Sequence, residues 1–239
     1  MRVAVLSDVH SNLHALEAVL ADVDRAGADE VWCLGDVVGY GPRPNECVAR
    51  LRERAAVCLA GNHDLVVLGK ISMGMFAGEA AAAARWTRTA LDDAARHFLD
   101  TLLPQAEAPG AELFHGSPRD PVWDYVTDTQ VARWSFLATS EPLVLVGHSH
   151  IALQYVEGGA GTTMGAGTRL ELRGARRILN PGSVGQPRDG DARAAWLEID
   201  NASGWATFRR TEYPVERTQA EMRAAGLPEV LAARLTEGV

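Results

Sequence analysis

The chain has 239 residues, 47% of them hydrophobic and 23% charged, which is enough apolar material to bury a core and too much to leave the chain disordered. The formal charge is −8 and Lys70 is the only lysine, so the surface lacks the basic face needed to wrap a nucleic-acid backbone or lie on an anionic membrane. No apolar run approaches membrane-spanning length, the N-terminus turns acidic at Asp8 where a secretory signal would stay apolar, and Cys33, Cys47 and Cys58 have no C-x-x-C spacing, so a reduced, cytoplasmic protein is expected.

The first third alternates simply. Val3 to Leu6 is a β-favouring run that ends in Ser7-Asp-Val-His-Ser-Asn12, and Leu13, Leu16, Val19, Leu20 and Val23 then recur at helical spacing up to Gly27. The run Glu30 to Leu34 ends in Gly35-Asp36, and Cys47, Val48 and Leu51 mark a second helix. A third run, Ala56 to Ala60, ends in Gly61-Asn-His-Asp64. This βαβαβ pattern implies parallel strands with right-handed crossovers.

Residues 65 to 112 break the rhythm. An apolar stretch with Gly69, Met73, Gly74 and Met75 leads into predicted helices over Glu79–Leu91 and Asp92–Leu103, a helical insertion expected to pack on the sheet. A mobile flap over a site, or a dimer contact, is the sharper alternative, and a homo-oligomer stays open. Strand signals return in Ala111-Glu-Leu-Phe-His115-Gly-Ser-Pro118 and in Pro142 to Val146, ahead of Gly147-His-Ser-His150, with a helix near Thr129 to Leu137 between them. Beyond His150 the apolar residues alternate and turns separate the runs, so antiparallel strands are expected, with Gly158 to Gly167 as a hairpin loop. The tail from Val215 to Leu235 reads as one polar-faced helix. No linker divides the chain, so residues 1–239 are read as a single domain.

Asp8, His10, Asp36, Asn62, His63, His115, His148 and His150 all stand at or just past predicted strand ends. Each alone has an ordinary explanation, as a helix cap or a core histidine. Strand C-termini in an α/β sheet gather along one edge, however, and five segments would then converge there. Without His63, seven oxygen and imidazole donors remain, too many for one tetrahedral ion and crowded for an octahedral one. Two divalent ions fit better, with Asp36 shared between them, and the absence of thiolate suits Mn, Fe, Zn, Ni, Co or Mg. Such a pair serves displacement at phosphorus, and a histidine beside it can protonate a leaving oxygen.

Ser7-Asp-Val-His10, Gly35-Asp36, Gly61-Asn-His-Asp64, His115-Gly116 and Gly147-His-Ser-His150, in that order, resemble the calcineurin-like metallophosphoesterase superfamily, and the segment Asn180 to Pro187 is similar to one in its compact bacterial and archaeal phosphodiesterases. The resemblance implies an α/β fold built as a two-sheet β-sandwich flanked by helices. It implies Asp8, His10, Asp36 and His150 on a first ion, and Asp36, Asn62, His115 and His148 on a second. Metal-bound hydroxide would be the nucleophile and His63 the general acid. Phosphoprotein phosphatases of this superfamily carry Asp-Arg-Gly in the second motif, whereas this chain reads Gly35-Asp-Val-Val-Gly-Tyr-Gly41, which counts against that activity.

Asp64 is a candidate to orient His63. Asn12 and Arg188 are candidates for substrate contact, with a helix N-cap and a surface arginine as their ordinary readings. Trp123 and Tyr125 are expected to pack on the scaffold rather than stack on a ligand. The expected activity is that of a phosphodiesterase on a small phosphate-ester substrate. A phosphomonoesterase and a non-catalytic interaction scaffold of the same fold are the alternatives.

Overall fold

The computed structural model describes residues 1–239. The chain begins with β1 (Arg2–Leu6), α1 (Leu13–Ala26), β2 (Glu30–Cys33), α2 (Pro44–Arg54), β3 (Ala55–Cys58) and α3 (Asn62–Leu68). A 3-10 turn (Met73–Met75) leads to α4 (Gly78–Ala90), α5 (Asp93–Asp100), β4 (Gln105–Ala108), β5 (Ala111–Phe114), α6 (Thr129–Ala138) and β6 (Leu143–Val146). The last part holds β7 (Ala152–Val156), β8 (Gly161–Thr163), β9 (Arg169–Glu171), β10 (Arg177–Pro181), β11 (Ala194–Asp200), β12 (Trp205–Thr211), α7 (Val215–Ala224) and α8 (Glu229–Glu237). The strands form two six-stranded sheets, ordered β3-β2-β1-β11-β12-β9 and β4-β5-β6-β10-β7-β8.

Residue alternation along the strands sets the layers, because successive side chains on a strand point to opposite faces. Val3 and Val5 of β1 enter the core between the sheets with Leu145, Leu179 and Leu197, while Ala4 and Leu6 face Leu16, Val19 and Leu20 of α1. In β6, Leu143 and Leu145 face the other sheet, and Val144 and Val146 lie with Phe136 of α6. The result is a two-sheet sandwich with helices on both outer faces. No helix is long and apolar enough to cross a membrane.

The βαβαβ reading describes β1, β2 and β3, which pair in parallel. Antiparallel pairing beyond His150 holds for β7 with β8, β11 with β12, and β12 with β9. It holds for β10 against β7 as well, but on its other side β10 runs parallel to β6, with Arg177 opposite Leu143. Alternation reports which face a side chain takes and carries no information on strand direction, so this crossover was invisible in the pattern.

Residues 65 to 112 are not helical throughout. Alongside α4 and α5 they contain β4, which pairs antiparallel with β5 at the edge of the second sheet. Gln105-Ala-Glu-Ala108 has no β-branched or aromatic residue, so its strand state comes from pairing rather than propensity. Ala84, Leu91, Ala95 and Leu99 pack this region into the helix-side core of the first sheet. The tail also differs from expectation. Gly226, at φ 71°, and Pro228, the N-cap of α8, divide it into two helices that pack against each other through Met222, Leu227 and Leu231.

Candidate metal centre

The segments after β1, β2, β3, β5 and β6 meet at one end of the sandwich, and their backbones bend sharply to do so. Asp8 (φ 53°), His10 (49°), Asp36 (51°), His148 (64°) and His150 (60°) all take the left-handed conformation, at about 1 kcal/mol or more each for residues with a Cβ. Cross-links between segments hold them there. Asp8 N–H donates to Gly35 O (3.0 Å), His10 N–H to Asp36 O (2.9 Å) and Gly147 N–H to His115 O (2.9 Å). Glycine is needed where the segments touch: a Cβ on Gly61 would lie 2.0 Å from Asp36 Oδ1, and one on Gly147 would lie 2.2 Å from Ser7 Oγ.

Three backbone carbonyls aim the histidines. His10 Nδ1 lies 3.2 Å from Val38 O, His115 Nδ1 2.9 Å from Leu34 O, and His150 Nδ1 2.6 Å from Gln186 O. A carbonyl only accepts, so each Nδ1 must carry the proton and each Nε2 presents a lone pair inward. His10 Nε2 and His150 Nε2 are then two acceptors 3.0 Å apart, an arrangement that repels unless a cation lies beside both. Asp8 Oδ1, buried and without a hydrogen-bond partner, is 3.3 Å from His150 Nε2 and 3.8 Å from His10 Nε2. On the other side, His148 Nε2 is buried without a partner, and His115 Nε2 faces Asn62 Oδ1 at 3.1 Å. Asp36 Oδ2 stands between the groups, 3.6 Å from both His10 Nε2 and His115 Nε2.

These donors fit divalent cations. Asp8, His10 and His150 form one cluster, Asp36, His115 and His148 another, and His63 with His10 and Asp36 a third between them, with the ligand atoms of each within 4.8 Å of one another. Burial holds the imidazoles neutral, pushing His10 well below its ordinary pKa and His148 down to about 3. For Asp8, burial pushes the carboxyl upward, but the proximity of His150, with His115 and His10 beyond it, outweighs burial and keeps the group below the usual carboxylate range. Burial, with the charges of Asp64 and Asp8, drives Asp36 well above that range. A cation at the clusters would supply the charge this concentration of buried carboxylates lacks.

His63 opens α3 beside the clusters. Its backbone N–H donates to Asp36 Oδ1 (2.8 Å), and its buried Nδ1 has no partner. The ring lies between Tyr40 and Phe76, with centroid distances of 4.4 and 4.5 Å. Asp64 makes no hydrogen bond to this ring. Its carboxylate takes the N–H groups of Gly61 (2.9 Å), Val37 (3.2 Å) and Val38 (2.9 Å), and so ties the loop that carries Asp36.

Asn12 is a scaffold residue rather than a substrate contact. It accepts from Ala15 N–H (3.2 Å) as the N-cap of α1 and from the Thr218 hydroxyl (3.0 Å), and donates to Gly185 O (2.9 Å), so its bonds are to the scaffold. Arg188 does reach the site. Its Nη2 donates to Gln186 Oε1 (2.8 Å), its Nε is buried without a partner, and the side chain lines a cavity of about 230 Å³ over His63, Asn62, His148 and His150. Trp123 packs on the helix-side core as expected, yet it also lines this cavity. Tyr125 is 47% exposed and stacks on His148 at 4.0 Å, so for this residue the expectation of scaffold packing gives way to a place on the cavity wall.

Tyr40, Phe76 and the three orienting carbonyls were not singled out from the sequence. Tyr40 stood in a motif segment, Gly39-Tyr-Gly41, that could have flagged it. Phe76 lies in the insertion, and nothing local marked it.

The calcineurin-like phosphoesterase superfamily domain model matches residues 1–202. The uncharacterized protein MJ0912 of Methanocaldococcus jannaschii is 36% identical over 242 residues, covering 99% of this chain and 98% of that one. A metallophosphoesterase from Sphaerobacter thermophilus, solved by crystallography, is 42% identical and superposes with a TM-score of 0.92 over 100% of both chains. The hypothetical protein PH1004 from Pyrococcus horikoshii OT3 shares the fold at 19% identity, with a TM-score of 0.82 over 100% of this chain and 98% of that one. Similarity of this extent, over a sandwich that gathers buried aspartates and histidines at one end, places the chain in the calcineurin-like phosphoesterase superfamily.

Proposed function

We propose that this protein is a phosphodiesterase that uses two divalent ions on small-molecule or nucleotide diesters, with His63 as general acid. The observation that carries the reading is Asp36, whose Oδ2 is equidistant, at 3.6 Å, from histidines of two clusters. Asp8, His10, Asp36 and His150 would hold one ion, and Asp36, Asn62, His115 and His148 the other. Bound there, the ions would lower the pKa of a water and neutralise phosphoryl oxygens.

The protein's own groups do the rest. The three backbone carbonyls hold the imidazole lone pairs on the cluster without rearrangement. Arg188 brings a guanidinium to a cavity whose one lining carboxylate is Asp36, a group suited to meet a phosphoryl oxygen there. The His63 side chain lines the cavity wall, where the ring could carry a proton to the departing oxygen. A cavity of about 230 Å³ suits a small ester better than a folded protein substrate.

Metal analysis after Mn²⁺ reconstitution, together with turnover of bis-p-nitrophenyl phosphate, tests the reading. About two ions per chain and diester hydrolysis are expected. A protein that saturates at one ion would overturn the two-ion site. A fully loaded protein inert across mono-, di- and cyclic phosphates would favour a binding scaffold, and a clear preference for monoesters would replace diester with monoester.

A further inference from the structure

The cavity over the cluster has a polar floor and an aromatic wall. Phe76, just after the 3-10 turn of the insertion, lies against the His63 ring at 4.5 Å and meets Trp123 edge-on at 6.1 Å and 83°. Tyr125 closes another side by stacking on His148. Met75 is 58% exposed at the same rim, an apolar side chain left in water beside buried charges. Phe76 and Trp123 also pack on the helix-side core, but the polar floor and Arg188 already address a phosphoryl group, so the aromatic wall is left for another part of a ligand. Aromatic rings held at a cavity mouth stack well on another planar ring.

Building on the phosphoester reading above, we propose that the cavity selects esters whose leaving group carries a planar aromatic ring, and that Phe76 is the residue that determines this preference. Phe76 touches His63, the group placed to protonate the leaving oxygen, so the part of the substrate beside Phe76 is the alcohol that departs. A nucleobase and a simple aryl group share the required chemistry. They differ in whether a sugar separates the ring from phosphorus.

Isothermal titration of the Mn²⁺-loaded protein compares AMP with ribose 5-phosphate, and phenylphosphonate with methylphosphonate. Roughly tenfold tighter binding of the ring-bearing member is expected in at least one pair, a size typical of one stacking contact. The pair that shows it identifies a nucleoside or an aryl group. Phe76→Ala is expected to reduce the preference to about twofold or less, and Phe76→Trp, which restores a ring, to retain it. Absence of preference in both pairs, or an unchanged preference in Phe76→Ala and in Phe76→Leu, overturns the proposal.

The two readings fail separately. Ring preference in a protein that hydrolyses no ester keeps the aromatic site and removes the enzyme, while hydrolysis without ring preference keeps the enzyme and removes the role of Phe76.

Discussion

Single residues at the cluster divide into those that hold and those that act, and variants should separate them. His63→Ala is expected to lower kcat by about 10²-fold or more while metal content stays unchanged, because His63 Nδ1 is not engaged by the scaffold. Metal analysis and initial rates on one preparation check this, and full activity would remove the general-acid role. Asp64 behaves differently. Its carboxylate satisfies the buried N–H groups of Gly61, Val37 and Val38, and removing it exposes each to a penalty of about 1 kcal/mol or more. Asp64→Ala is therefore expected to lower the melting temperature and the bound metal together. A variant that changed only the pH dependence of kcat, with stability and metal intact, would restore a direct link between Asp64 and His63.

At the scale of elements, an ion-paired seam ties α7 to α1 and to the start of α2. Arg43, the N-cap of α2, donates from Nε and Nη2 to both oxygens of Glu221 on α7 (2.8 Å each), and His14 of α1 lies 3.2 Å from the same carboxylate. The hydrogen bond from Arg43 holds the Glu221 carboxyl below its ordinary range, with His14 adding to the effect and burial opposing it. A carboxyl depressed in the folded state stabilises fully above its unfolded pKa, about 4.5, and that contribution disappears as pH falls through the lower folded value. Glu221→Gln is expected to cost about 0.5–1 kcal/mol near pH 7, a modest figure because both partners are partly solvated. The difference from wild type should shrink steadily below about pH 4 in urea denaturation. A constant difference across that range would assign the loss to packing rather than charge.

Across the whole molecule, the Asp8–His10–His150 and Asp36–His115–His148 clusters each draw on both sheets. Asp8 and His10 follow β1 of the first sheet and His150 follows β6 of the second, while Asp36 and Asn62 belong to the first side and His115 and His148 to the other. Ions bound there would tie the two halves of the sandwich, so ligand-linked stability should be large. Removing metal with a chelator is expected to lower the melting temperature by several degrees, about 3–4 kcal/mol for free metal at several hundred times its dissociation constant. Adding Mn²⁺ back should restore it. A melting curve indifferent to metal would show that the sandwich holds its end closed unaided.

The sequence by itself determined the strand-then-ligand punctuation. Apolar runs of strand length, each closed by glycine, aspartate, asparagine or histidine, are local patterns, and they marked the eight residues from Asp8 to His150 that the structure draws together. The same runs located β1, β2, β3, β5 and β6, since period and turn chemistry act within a few residues. Only the tertiary structure decided how those ends meet. One parallel edge was the reading from pattern alone, yet the ends come from two facing sheets, because strand pairing and direction depend on partners far along the chain. The place of Arg188 on the cavity wall, the scaffold bonds of Asn12 and the position of Phe76 over His63 were settled the same way, by neighbours that fold into contact and leave no mark in local sequence.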